Sequence, residues 1–447
     1  MAGMTKWRQM AGLILLAACA VSTCEAAAAK PAPITGPQHM LHAQGTKWVR
    51  ADGTQVNLKG ANLGNWLINE FWMMGQGSHG IDDECKLEEV LDHRFGYQER
   101  QRLFRLYRDN WITTKDWDML ASFGLNVVRV PFIHTVVEDE KNPGHLRADA
   151  WRYLDDAIAQ AEKRGMYVIL DLHGAAGSQG WEHHSGCAGL NQFWSTPAYQ
   201  QRSIWLWQQI AARYKDRSSV AGYSLLNEPW GTPPENMADV ITTMYKAVRA
   251  VDPNHIIILP GHHTGIGAYG DPAKRGMVNV AFEMHPYPGH FGWGEPGPAV
   301  HRGWLLCTDE KSDTVCAWDQ RMKSLNTPLY FGEVQPWAKM GLETGGQVAR
   351  ASFDTYARYG WAVTAWSYKY VSNEGGHGQG TWGMVTNAAG ERVPDLDFNT
   401  ASLAQIESLF KRFGTMRYEP HGPLKRWLTS PIPPDPFGLT RPHEESK

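Results

Sequence analysis

Two segments of the chain end on a glutamate after an apolar, strand-like run: Leu225-Leu226-Asn227-Glu228-Pro229 and Leu329-Tyr330-Phe331-Gly332-Glu333. A carboxylate is costly to bury, so a strand that carries one to its tip opens there onto a polar cleft. Two such carboxylates facing one another suffice to hydrolyse a glycosidic bond, one as acid and base and the other as nucleophile. Either glutamate alone reads as a surface ion pair. The pair and its company point to chemistry.

Eight apolar runs must position these groups: 56–63, 126–132, 167–172, 220–226, 255–259, 278–284, 329–332 and 362–366. Amphipathic stretches such as 148–164, 197–214 and 237–251 lie between them. Continuous apolar runs suit parallel strands buried on both faces. No sequence repeat and no Pro/Gly-rich linker divides the chain. The pattern predicts one α/β domain over residues 45–425, a (β/α)8 TIM barrel with elaborated loops on its catalytic face. The elaborations fall after strands one, three and six. The first, 75–117, includes a predicted helix over 99–108. Each strand exit then carries a polar or aromatic group: Glu70, Arg129 with His134, His173, Asn227 with Glu228, His262 with His263, His285 with Tyr287, Glu333, and Trp366.

The length of 447 residues allows one large barrel, and a net charge of −3 offers nothing to nucleic acid. Twenty tryptophans are many, and their faces suit the C–H faces of sugar rings. Lys6 and Arg8 precede an apolar stretch, Ala11 to Val21, too short to span a bilayer. Residues 1–29 read as an export signal. Leu16-Ala17-Ala18-Cys19 also resembles a lipoprotein box, which would make Cys19 a lipid anchor; both outcomes stay open. The expected location is periplasmic, extracellular or anchored at the cell envelope. Residues 429–447, rich in proline and charge, read as a loose tail. Beyond the signal lie Cys85, Cys187, Cys307 and Cys316, which allow three pairings. Cys307 and Cys316 enclose a short polar stretch and are expected to bridge, leaving Cys85 to meet Cys187 across two loops. No C-x-x-C spacing occurs, so no metal site is expected. No cofactor is called for, and a monomer is expected.

Asn227-Glu228-Pro229, Asp171-Leu172-His173-Gly174, Arg129-Val130-Pro131, His285-Pro286-Tyr287 and Gly332-Glu333 resemble glycoside hydrolase family 5 in order and spacing. The resemblance runs over nearly the whole mature chain. Gly60-Ala61-Asn62-Leu63-Gly64-Asn65-Trp66-Leu67, with Glu70 and Trp72, resembles its exo-β-1,3-glucanase branch. So does the run from Asp171 to Gln179 that continues to Ser185-Gly186. The resemblance implies a retaining mechanism with Glu333 as nucleophile and Glu228 as acid and base. It implies that Arg129 keeps Glu333 ionised, Tyr287 orients it, His285 reaches Glu228 and Asn227 meets the sugar's 2-hydroxyl. Trp366 would floor the central subsite. Glu70, His134 and His173 would hold the terminal sugar. Trp181 would clamp the next sugar, with Phe291 or Trp293. Asp171, Trp66 and Trp72 read as packing residues. The chain departs from the branch at Asn65, at Phe71 and at His184, where the branch has asparagine before Ser-Gly. Rival readings are an endo-β-1,4-glucanase or mannanase, a sugar-binding protein on an inactive barrel, and a metallohydrolase. An open cleft would favour the first, but the long insertions argue for a closed pocket. Intact Glu228 and Glu333 disfavour the second. The third needs a His-x-His on strand one, which is absent.

Overall fold

The computed structural model describes residues 39–438, apart from 78, 262, 264 and 310–312. The signal, with Cys19 and Cys24, lies outside the described residues. Eight parallel strands close into a barrel: β3 (Lys59–Asn62), β4 (Val127–Ile133), β5 (Tyr167–Gly174), β6 (Val220–Ser224), β7 (Ile256–Pro260), β8 (Val280–Met284), β9 (Leu329–Phe331) and β10 (Ala362–Ala365). They pair in sequence order, and β10 returns to β3. Every residue of β4 and β5 is buried, as strands covered on both faces require. The helices around them bury one stripe each. In Arg152–Glu162 it is Leu154, Ala157, Ile158 and Ala161, the i, i+3, i+4, i+7 spacing of a single helix face.

An antiparallel hairpin, β1 (Leu41–Gln44) and β2 (Lys47–Arg50), covers the N-terminal end of the barrel. Trp48 is fully buried there, and its indole donates to Leu329 O at the start of β9 (3.3 Å). Leu41, Leu58, Ile169, Ile256 and Tyr330 complete this floor. The first predicted strand therefore starts later than the apolar run that contains it: Val56 and Leu58 belong to the floor and pairing begins at Lys59.

The insertion after β3 holds three helices, Glu84–Phe95, Tyr97–Trp111 and Thr114–Ala121, where one shorter helix was expected. Both expected disulfides are present, Cys85–Cys187 and Cys307–Cys316. The loop after β10 is a further elaboration that the sequence reading missed. It runs to a small sheet of β11 (Val385–Asn387) and β12 (Tyr418–Pro420). The helix Gly422–Thr429 packs on Leu342–Tyr359, so the packed body extends past residue 425. No helix among the described residues is long and apolar enough to cross a membrane.

Candidate active site

The C-terminal ends of the strands surround a cavity of about 790 Å³. Glu228 and Glu333 both line it, delivered by the segments after β6 and β9. Their nearest carboxylate oxygens and a His285 nitrogen lie within 4.8 Å of one another. Glu228 sits at φ +39°, a left-handed conformation that costs a side-chain-bearing residue of order 1 kcal/mol and is found at functional sites. Gly332 precedes Glu333 for a steric reason. A Cβ there would stand 1.9 Å from Glu283 Oε1 and 2.7 Å from His285 Nε2.

Each glutamate has its own setting. Glu333 accepts from Arg129 Nη1 through Oε1 (2.9 Å) and from the Tyr287 hydroxyl through Oε2 (2.7 Å). Burial, then the charges of Glu333 and Glu228, hold the Tyr287 phenol well above its ordinary range, so it remains a donor. Glu228 meets two imidazoles, His285 Nδ1 at Oε1 (2.6 Å) and His184 Nε2 at Oε2 (3.1 Å). Burial pulls the His285 proton affinity down. The Glu333 charge and the bonds to Glu228 and Glu283 outweigh it and push the pKa up to about 10.

Beneath the cavity, Arg129 is fully buried and faces Asp171 Oδ1 (3.0 Å) and Glu283 Oε1 (3.2 Å) as well as Glu333. It also donates to Asn62 Oδ1 (3.0 Å) and Asn227 Oδ1 (2.7 Å). Arg129 stands beside Glu333 as expected, but it has no face on the cavity and so does not meet the sugar. Asp171 is structural as expected; its other oxygen binds His173 Nδ1 at 2.7 Å. His173 does line the cavity and stacks on Trp366 with centroids 5.5 Å apart. Trp366 lines it too.

Glu70 lines the cavity and is 4% exposed. Its Oε2 accepts from Trp72 Nε1 (2.7 Å) and faces His183 Nε2 (3.2 Å), while Oε1 has no hydrogen-bond partner among the described residues. Burial raises its pKa, but the bond and charge of His183 more than reverse this. Glu84, buried in the first inserted helix, holds this segment by accepting from Asn69 N (2.7 Å) and pairing with Arg108 (2.9 Å).

Two further expectations fail. His134 does not line the cavity; it sits on a short 3-10 turn with Nδ1 beside Gly174 O (3.3 Å), and burial depresses it to about 4. Trp181 is 49% exposed and also lies off the cavity. It flanks Gly231, where a Cβ would meet its indole nitrogen at 2.6 Å. Trp230, whose ring lies 4.6 Å from that of His263 at a tilt of 30°, takes the wall expected of Trp181, with Phe291 and Trp293 also lining the cavity. Trp72, read as packing, lines the cavity, as does Trp382 from the unforeseen loop after β10. Sequence reasoning also missed Glu182 and His183. Their signal was available in the run Glu182-His183-His184, three polar groups in a row beside Ser185-Gly186.

Residues 94–372 match the family model described as Cellulase (glycosyl hydrolase family 5). The β-xylosidase of Phanerodontia chrysosporium is 33% identical over 250 residues, covering 55% of this chain and 52% of that protein. The chain thus spans about half the length of that relative. The glucan 1,3-beta-glucosidase of Pichia angusta is 24% identical over 315 residues, 68% of each chain. The crystal structure of rutinosidase from Aspergillus niger shares the fold with a TM-score of 0.57 at 19% identity, covering 71% of this chain and 91% of that one.

Proposed function

From the premise that the chain belongs to glycosyl hydrolase family 5, we propose that it is a retaining β-glycosidase that acts on β-glucan from the chain end and releases glucose. The observation that carries this reading is that an oxygen of Glu228 and an oxygen of Glu333 lie within 4.8 Å of each other, while one imidazole, His285 Nδ1, stands 2.6 Å from the first residue and 3.7 Å from the second. Retaining enzymes hold their carboxyl groups about 5 Å apart, whereas inverting ones leave room for a water. Glu333, with Arg129 and Tyr287 on its two oxygens, is the nucleophile. It bonds to the anomeric carbon as the bond to the leaving oxygen breaks, and the Glu228 proton goes to that oxygen. Water then bonds to the same carbon and gives its proton to Glu228, and Glu333 departs as a carboxylate. Asn227 faces the cavity beside both and is placed to meet the 2-hydroxyl.

Exo action is supported by Glu70, Trp72 and His183, which line one side of the cavity. The free Oε1 of Glu70 is an acceptor for a hydroxyl of a terminal sugar. Trp230, Phe291 and Trp293 offer apolar faces for the leaving sugar. Two disulfides fit a protein that works in an oxidising compartment outside the cytoplasm. The similarity to a β-xylosidase supports a second reading, in which the released sugar is a pentose. The test is product analysis on laminarin, with aryl β-glucoside and β-xyloside compared. Glucose from the earliest time point is expected. An early ladder of oligosaccharides would replace exo with endo action, and faster xyloside turnover would select the second reading.

A further inference from the structure

His184 occupies the position where the resembling branch has asparagine, and its surroundings give the change a purpose. Its Nε2 lies 2.6 Å from Glu182 Oε2 and 3.1 Å from Glu228 Oε2. Glu182, His184 and Glu228 therefore form a row from the exposed rim into the cavity, with side chains 41%, 14% and 9% exposed. On the opposite edge of the ring, Asn227 Nδ2 faces His184 Nδ1 at 3.5 Å. Arg129 fixes the orientation of that amide by donating to Asn227 Oδ1. The amide NH2 can only donate, so neutral His184 presents a lone pair at Nδ1 and carries its proton on Nε2. The imidazolium carries a proton there as well. In either state an N–H points at the carboxylate pair.

We infer that His184, held by Glu182, is a positioning residue for Glu228: it fixes the carboxyl group that His285 grips from the other side and donates to the charge that develops there when the leaving group takes its proton. The inference rests on Glu228 being the acid and base. A hydrogen bond to the charged form of a carboxyl favours that form, so the donor is worth more in the transition state than before it. The other titratable groups facing this imidazole are His183 and Glu70 from the loops and His173 from β5, with His285 and Glu333 behind Glu228. Burial opposes a charge on His184, but the Glu228 charge and the Glu182 bond prevail and push its pKa up to about 9. A residue that merely packed the wall would slow all substrates alike. One that serves the acid slows only those that need the acid.

The experiment measures kcat/KM against pH for H184N, E182Q and E228A, on an alkyl β-glycoside with a poor leaving group and on the 2,4-dinitrophenyl β-glycoside. H184N is expected to lose about tenfold or more on the alkyl substrate and less than about twofold on the activated one. Its basic limb should move to higher pH, because a neutral amide replaces the cationic imidazolium that favoured ionised Glu228. E182Q should give a smaller leaving-group effect in the same sense, since it acts through the imidazole. Equal losses on both substrates, or an unmoved basic limb, would overturn the inference. If H184N does not fold, E182Q is read by its leaving-group effect, and equal losses there overturn it too. E228A separates the two levels. Without a leaving-group effect in E228A the role given to Glu228 fails. With one in E228A and none in H184N, only the role of His184 fails.

Discussion

Arg129→Met removes the cation on which the floor of the cavity is built. One guanidinium, fully buried, faces three carboxylates (Asp171, Glu283 and Glu333) and two amide oxygens (Asn62 and Asn227) at 2.7–3.2 Å. Breaking a buried ion pair from one side costs about 3–5 kcal/mol because the partner charge stays behind. Two amide oxygens left without their donor add about 1–3 kcal/mol each. The sum, about 5 kcal/mol or more, rivals the whole stability of an ordinary domain. Arg129→Lys keeps the charge but offers three donors to five acceptors. Two unmet acceptors at the same unit cost give a loss of about 2–6 kcal/mol. Urea unfolding of both variants should rank them in that order. The pH dependence carries a sign. Burial raises the Asp171 pKa, but Arg129, His173 and Ser224 outweigh it and hold it below the ordinary carboxylate value. A depressed carboxyl adds stability above its unfolded pKa of about 3.9 and loses it as pH falls through the folded one. The gap between wild type and Arg129→Met should therefore be widest above about pH 5 and narrow below about pH 4. A methionine variant within about 1 kcal/mol of wild type at pH 7 would refute the reasoning.

Three further outcomes follow from the site. Glu333→Ala should abolish turnover of every β-glycoside, whereas Glu228→Ala should retain activity on aryl glycosides with good leaving groups and respond to added azide; identical behaviour of the two would mean that their roles are misassigned. Glu70→Ala should lower kcat/KM on polymer and on aryl glycoside alike by about 5–150-fold, the worth of about 1–3 kcal/mol for an unpaired polar group; a loss confined to the polymer would move Glu70 out of the terminal-sugar subsite. Cys85→Ser with Cys187→Ser should leave the barrel folded by circular dichroism and raise KM, because the bridge ties the helix beneath Glu70 to the loop carrying His183 and His184; an unchanged KM would show that the loop holds its place without it.

The barrel was legible because each of its strands is an apolar run that ends on a polar group, a pattern set by burial within a single element. Glu228, Glu333, Tyr287 and His285 were legible for the same reason, since each stands one to four residues past its strand. Trp181 and His134 misled because their sequence neighbourhood is right and their direction is not. A loop residue one place from a cavity points away from it as readily as toward it. Trp382 and the small sheet after β10 were invisible, since nothing local marks a loop that folds back over a distant strand. Arg129 was placed near Glu333 correctly, but its depth was not. That depth depends on Asp171 and Glu283 arriving from two other strands.

The hairpin that seals the barrel also sets the pole at which the chain enters the described fold. The chain enters the described fold at His39, whose carbonyl accepts from Tyr167 at the start of β5 (3.0 Å). Ala43 is bonded beside the start of β8, through Asn279 (2.8 Å). Both contacts lie at the sealed pole, and the cavity opens at the other. Any leash joined ahead of residue 39 therefore grips the molecule by its base. Pulled taut from a surface, it would leave the mouth of the cavity directed outward.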